Sequence, residues 1–318
     1  MNFEFIPSTQ EQLSTWTAAR DGETKLGQTI KIEVSNKTRF LLLGIEESIG
    51  PQSNFGLPGS ENGFSSFIKR FVNIQANQFV SGDEICFIGS IKQTCEFTTI
   101  ENGRLAIEEL DEVVSQLLLN HCNESIIPII VGGGHNNAFP IAKALNSIKK
   151  SKIDIINLDP HADCRAIEGR HSGNPFSYGM MEGYIEKYAA LGLHMGYNSQ
   201  FTMDFLKEKN CSHTFYDNYL SDRKQLYIDL KNEISGKNNP IGFELDLDAI
   251  AFMPSSAFSP SGWTIDETRA YIQTCAKTAN IAYLHLPEGA PNSHYEEKVV
   301  GKALSYLVYD FIRIKQSK

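Results

Sequence analysis

The sequence predicts a single three-layer αβα domain built on a mainly parallel central sheet, and three observations carry that prediction. Short apolar runs rich in β-branched residues recur along the 318 residues. Segments with helical periodicity fall between them. The residues best suited to hold a metal stand at the ends of several runs, which binds the runs into one unit, 1–318, rather than two. Strands alternating with helices build parallel sheets, and strands covered on both faces read as nearly continuous apolar runs.

The strand candidates are 40–45, 85–88, 126–131, 153–158, 241–247 and 281–286. Between them, 104–120 places Leu105, Ile107, Leu110, Val113, Val114, Leu117 and Leu118 on one helical stripe. Similar patterns cover 136–148, 221–234, 265–276 and 297–314, the last read as a terminal helix closing the sheet or lining an interface. Segments 52–63 and 169–179 are rich in glycine, serine, asparagine and proline and read as long loops bordering the site.

Composition narrows the function. A net charge of -9, from 29 basic and 38 acidic residues, argues against nucleic acid or an anionic membrane as partner. No apolar run approaches the roughly 20 residues that span a bilayer. Residues 1–10 lack a basic start followed by an apolar block, so no secretory signal is expected. Six cysteines without CxxC pairs fit a reduced, cytoplasmic setting.

The chemistry concentrates in Asn157-Leu158-Asp159-Pro160-His161-Ala162-Asp163. Three metal-grade side chains stand at every second position after an apolar run. If strand geometry persists to Asp163, Asp159, His161 and Asp163 share one face. Asp246 and Asp248 alternate likewise at the end of 241–247, and His135 follows Gly132-Gly133-Gly134. Alone, His135 reads more readily as a hydrogen-bonded surface or core histidine, and Asp246 with Asp248 equally as a helix N-cap and its neighbour. Together, four carboxylates and two imidazoles at strand ends suffice for a two-metal hydrolytic site, because ligands of open α/β sheets bind beyond the strands' carboxyl ends. A donor set without thiolate suits Mn²⁺, ahead of Zn²⁺, Fe²⁺ or Co²⁺. Strand alternation turns Cys164 to the other face, a structural position. His285 reads as a core residue, Phe139 and Phe176 as packing.

These motifs resemble the ureohydrolase superfamily of arginase, agmatinase and formimidoylglutamase, over about residues 41–307. The resemblance implies an arginase-like fold, a trimer or hexamer, and two Mn²⁺ ions per chain. One ion would be held by His135, Asp159, Asp163 and Asp246, the other by Asp159, His161, Asp246 and Asp248. It also implies attack of metal-activated water on an amidino-type carbon. Three details resemble the formimidoylglutamase branch: Gly134 before the first metal histidine, Arg165 two residues after Asp163, and Ser172-Gly173-Asn174-Pro175-Phe176.

The implied substrate is a small amidine, N-formimidoyl-L-glutamate, cleaved to L-glutamate and formamide. Asp163 would hydrogen-bond the attacking water, and Glu288 would hold the substrate's nitrogens. Arg165, Ser172 and Asn174 would line the substrate pocket, with Glu168 as the competing partner of Arg165. His171, beside Ser172, would be either a proton shuttle or a solvated loop histidine. Asn174 and Glu244 depart from the family pattern, as do Asn136 and Asn137 after the histidine. Glu244 shares a face with Asp246 and is expected to pair with Arg165 or another basic group, or to narrow the pocket. A guanidino hydrolase releasing urea and a non-catalytic metal-binding member are the alternatives. A two-metal phosphoesterase is weaker, because no further basic residues cluster beside the ligands.

Overall fold

The computed structural model describes residues 2–316, so residues 1, 317 and 318 of the expected domain lie outside the described residues. Nine strands form one sheet: β1 Phe3–Pro7, β2 Phe40–Glu46, β3 Ile85–Gln93, β4 Ile127–Val131, β5 Ile153–Leu158, β6 Ile185–Leu193, β7 Ser212–Phe215, β8 Ile241–Leu245 and β9 Ile281–Leu286. Their order is β1-β3-β2-β4-β9-β8-β5-β6-β7. Every neighbouring pair is parallel except β1 with β3, which is antiparallel.

Alternate side chains of the strands feed two apolar cores. Phe40, Leu42, Ile156, Leu158, Phe243 and Leu245 join helices Gly63–Phe71, Gln225–Ser235, Ile265–Ala276 and His294–Gln316 on one face. Leu41, Leu43, Ile45, Ile153 and Ile155 join helices Ile100–His121, Ala138–Lys149, Pro175–Met181 and Gln200–Glu208 on the other. This is the expected three-layer αβα arrangement.

The six expected strands are all present, with 153–158 and 281–286 matching their observed bounds. The run 241–247 stops as a strand at Leu245, because Asp246 caps a short turn. The expected helices are present too, and 265–276 matches because Thr264 and Glu267 form a capping box at its start. The sequence reading lacked β1, β6 and β7. β7 is a four-residue edge strand, half-buried throughout, and β6 carries exposed Glu186 and Lys187 directly after buried Ile185. β7 has no apolar run, and in β6 the charged pair interrupts the pattern before the buried apolar stretch 188–193. The expected loop 169–179 ends in helix Pro175–Met181, which starts at proline as helices often do. The terminal helix packs on Gly63–Phe71. No helix among the described residues is long and apolar enough to cross a membrane.

That packing supplies a direct test. A Cβ on Gly301 would lie 2.1 Å from the Ser66 carbonyl oxygen, a backbone atom that cannot swing aside. Gly301→Ala is expected to cost about 1–3 kcal/mol through overpacking. An unchanged urea midpoint would refute the close crossing.

Candidate metal centre

The four central strands, β4, β9, β8 and β5, end on the same side, and each delivers part of one site. After β4, Gly132 and Gly133 adopt φ of +88° and +70°. A Cβ on Gly132 would stand 2.6 Å from the Ile45 carbonyl oxygen, so the turn requires glycine. Buried Glu47 clamps this turn, accepting from the Gly134 amide at 2.7 Å, the Gly50 amide at 2.9 Å and Asn137 Nδ2 at 2.9 Å. His135 then opens the short turn His135–Asn137.

Strand geometry does not persist to Asp163, contrary to expectation. β5 ends at Leu158, and Asp159 Oδ1 accepts from the His161 amide at 2.7 Å. Asp163 takes φ of +47°, a left-handed conformation costly for a non-glycine residue. The three side chains still converge, through a turn rather than a pleat. After β8, Asp246 Oδ1 accepts from the Asp248 amide at 2.7 Å, and Asp248 Oδ1 from the Ala257 amide at 3.1 Å. Asp246 is thus both a cap and a site residue. After β9, Glu288 has φ of +68°, and its Oε1 accepts from the His135 amide at 2.6 Å.

The second oxygens of three of these carboxylates meet one nitrogen, that of Asp159 also accepting from Asn157 Nδ2 at 3.1 Å. His135 Nδ1 lies 3.2 Å from Asp159 Oδ2, 2.9 Å from Asp163 Oδ2 and 3.0 Å from Asp246 Oδ2. Ligands about 2.1 Å from a small divalent ion stand about 3 Å apart when adjacent. Neither ring nitrogen of buried His135 makes a hydrogen bond among the described residues. The donor set therefore fits a cation. Beside it, His161 Nδ1 lies 3.5 Å from Asp159 Oδ1 and 3.6 Å from Asp248 Oδ2, the beginnings of a second position.

Electrostatics point the same way. Burial, then the neighbouring Asp248 and Asp159 carboxylates, pushes Asp246 well above its ordinary range. Burial and Asp159 raise Asp163. Burial alone would lower His135, but Asp159, Asp163 and Asp246 raise it well above its usual value. Burial, then Asp248, pushes Glu288 up to about 8. Crowded carboxylates resist ionising together unless positive charge joins them.

A cavity of about 430 Å³ opens above the centre, lined by His161, Asp163, Arg165, Ser172, Asp246, Asp248 and Glu288, with Asn54, Tyr197, Asn198 and Ser256 among the walls. His135 and Asp159 form the buried floor. Arg165 is exposed at the mouth and makes no ion pair among the described residues. Its expected competitor Glu168 instead meets Arg104 at 3.3 Å and His171 Nε2 at 3.2 Å.

Two expected site residues lie elsewhere. Asn174 is fully buried and committed to scaffolding: its Oδ1 accepts from Arg170 and the His171 amide, and its Nδ2 donates to the Ala166 and Gly169 carbonyls. His171 is buried off the cavity, its Nδ1 accepting from the Gly173 amide, so it is neither a pocket residue nor a solvated one. Burial, then Arg104, lowers its pKa to about 4, unsuited to a shuttle near neutrality. Of the partners expected for Glu244, the structure gives not Arg165 but another basic group, His285, with Tyr283 beside it, all buried. Cys164 is buried in the core, as expected. Phe176 packs edge-on against His135, ring centroids 5.2 Å apart. His285 is buried as read, but it bonds a carboxylate rather than apolar neighbours.

Sequence reasoning missed the Tyr197 and Asn198 wall, because it missed β6, which carries both to the cavity. Tyr197 stacks on His161 at 5.3 Å. It also missed Arg170, which fixes the 169–174 loop from within. That guanidinium is buried, bonds Asp111 at 2.8 Å and Asn174 Oδ1 at 3.0 Å, and lies over the Phe139 and Tyr178 rings.

Asp111→Asn would leave Arg170 buried without its counter-charge. Removing one partner of a buried pair costs about 3–5 kcal/mol, read as a lower denaturant midpoint. A loss below about 1 kcal/mol, the scale of an exposed pair, would contradict this role.

The arginase family model matches residues 42–312. Formimidoylglutamase of Staphylococcus haemolyticus is 24% identical over 265 residues, covering 79% of this chain and 80% of the relative. Among solved structures, formimidoylglutamase from Bacillus subtilis aligns with a TM-score of 0.77 at 20% identity, covering 93% of both chains. Trypanosoma cruzi formiminoglutamase with Mn²⁺ aligns at 0.74 and 18% identity, covering 92% of this chain and 98% of that one. The structural likenesses establish a shared fold, and the family match, spanning nearly every element that builds the centre, establishes that this chain belongs to the arginase family.

Proposed function

We propose that the chain is one catalytic domain, 1–318, that hydrolyses a C–N bond of a linear amidine, with N-formimidoyl-L-glutamate as substrate. Water adds to the formimidoyl carbon, the bond to the amino-acid nitrogen breaks, and L-glutamate and formamide leave. The observation that carries this reading is the meeting of two imidazoles and four carboxylates beneath a cavity with Arg165 at its mouth. The formimidoylglutamase relatives support the substrate class.

Two Mn²⁺ ions suit this oxygen-rich set, and the manganese in the trypanosomal neighbour supports the choice. His135, Asp159, Asp163 and Asp246 would hold one, and Asp159, His161, Asp246 and Asp248 the other. When bound, such ions supply Lewis acidity and acidify water towards neutrality. The chain's own groups do the rest. Arg165 offers a planar fork that holds a substrate carboxylate by two parallel bonds. Glu288 Oε2 is buried without a partner among the described residues, and accepts from an amidine nitrogen. Ser172 adds a hydroxyl on the same wall. Asp163 borders the cavity and orients the attacking water. His171, buried away from the cavity, takes no part in proton transfer. A trimer or hexamer is the assembly that family resemblance implies, and six free cysteines fit a cytoplasmic reaction.

Mn²⁺-loaded protein offered N-formimidoyl-L-glutamate, agmatine and arginine separately is expected to release formamide from the first alone. Urea from either guanidino compound would move the chain to that branch, and no product with ions bound would favour a non-catalytic role. Arg165→Ala is expected to raise KM about ten- to hundredfold with kcat nearly unchanged, the scale of one charge-assisted hydrogen-bonded contact. An unchanged KM would remove Arg165 from the pocket. His171→Asn is expected to leave kcat within about twofold, and a large loss would restore it as a shuttle.

A further inference from the structure

We propose that Glu244 is a positioning residue that presents His135 to the first ion and makes the two ion positions unequal in affinity. This rests on the metal-centre reading above. Glu244 lies two residues before Asp246 on β8, and pairs in register with His285 on β9. It is fully buried. Its Oε1 accepts from the Tyr283 hydroxyl at 2.6 Å, and its Oε2 from His285 Nδ1 at 2.7 Å. Oε2 also lies 3.5 Å from His135 Nε2.

That third neighbour carries the argument. The other ring nitrogen, Nδ1, faces Asp159, Asp163 and Asp246, so a cation there takes its lone pair. Nε2 must then carry the proton, and among the described residues it has no hydrogen-bond partner of its own. Glu244 Oε2 is the carboxylate that faces it. A metal-bound histidine usually directs its second N–H at such an acceptor, which sets tautomer and ring plane and raises basicity. A buried carboxylate is also costly to desolvate, so two donors on β9 hold Glu244 in place. The ring has little freedom otherwise, with Phe176 edge-on at 5.2 Å and the His285 ring at 5.9 Å.

His161 lacks this support. Its side chain is 28% exposed, and it leans on the exposed Tyr197. The first ion therefore gains an oriented ligand and a nearby negative charge that the second does not.

The test is Mn²⁺ titration of the full chain, with free ion followed by electron paramagnetic resonance, in wild type, Glu244→Gln and Tyr283→Phe. Wild type is expected to show two dissociation constants per chain. Glu244→Gln should weaken the tighter one about 10–100-fold, the usual effect of losing such a partner, and leave the weaker one nearly unchanged. Tyr283→Phe, which frees one Glu244 oxygen, should give a smaller loss at the same site. The signal of protein loaded with one Mn²⁺ should differ between wild type and Glu244→Gln. If Glu244→Gln does not fold, the Tyr283→Phe constants decide. Unchanged constants, or equal weakening of both, would overturn the proposal. A third ion per chain would make Glu244 a ligand together with His135 and His285. Failure of wild type to bind any ion would instead overturn the metal-centre reading itself.

Discussion

Crowded negative charge beneath a closed floor is the constraint on which the rest of the structure depends. Two like charges 4 Å apart repel by about 4 kcal/mol at an effective dielectric of 20. Here Asp159, Asp163, Asp246 and Asp248 gather within reach of two imidazoles, with Glu288 and Glu244 close by. Burial raises the cost further, as the upward shifts of Asp246, Asp163 and Asp248 register. Such an arrangement is stable when cations occupy it, and the second oxygens of Asp159, Asp163 and Asp246 converge where a cation would sit.

The fold meets this constraint with backbone first. Four parallel strands at the sheet's centre end on one side, and the turns after them supply amide N–H groups to the spare carboxylate oxygens: His161 to Asp159, Asp248 to Asp246, Ala257 to Asp248, His135 to Glu288. Each carboxylate is thereby aimed by one oxygen tied to a backbone amide, and Asn157 Nδ2 also holds the second oxygen of Asp159. The turns are strained where they must be, with Asp163 and Glu288 both at positive φ. Two buried charged hubs hold the surrounding loops, Glu47 beneath the His135 turn and Arg170 beneath the 169–174 loop. Neither lines the cavity.

Much of this was legible in residue order, and the reasons are local. Central strands covered on both faces cannot hide their apolar runs, so β2, β4, β5, β8 and β9 are plain in sequence. The ligand motifs are legible because alternation after such a run narrows where side chains point, although the true path past Leu158 is a turn. The edge strand β7 escapes notice because it needs no apolar face, and β6 because exposed Glu186 and Lys187 interrupt its apolar pattern. Contacts between distant segments escape for a different reason. Nothing in the neighbourhood of Arg170 states that Asp111 will claim its guanidinium, or that Glu244 will find Tyr283 and His285 across a strand pair. His171 shows the converse error, since a loop histidine beside a serine looks reactive until its burial is known.

The central claim is that the carboxylate cluster is built around two cations. Anomalous diffraction from crystals grown with Mn²⁺ tests it most directly. The account predicts two peaks per chain, one among His135, Asp159, Asp163 and Asp246 and one among Asp159, His161, Asp246 and Asp248. A map with no peak there, or with manganese bound elsewhere while the cluster stays empty, would contradict it.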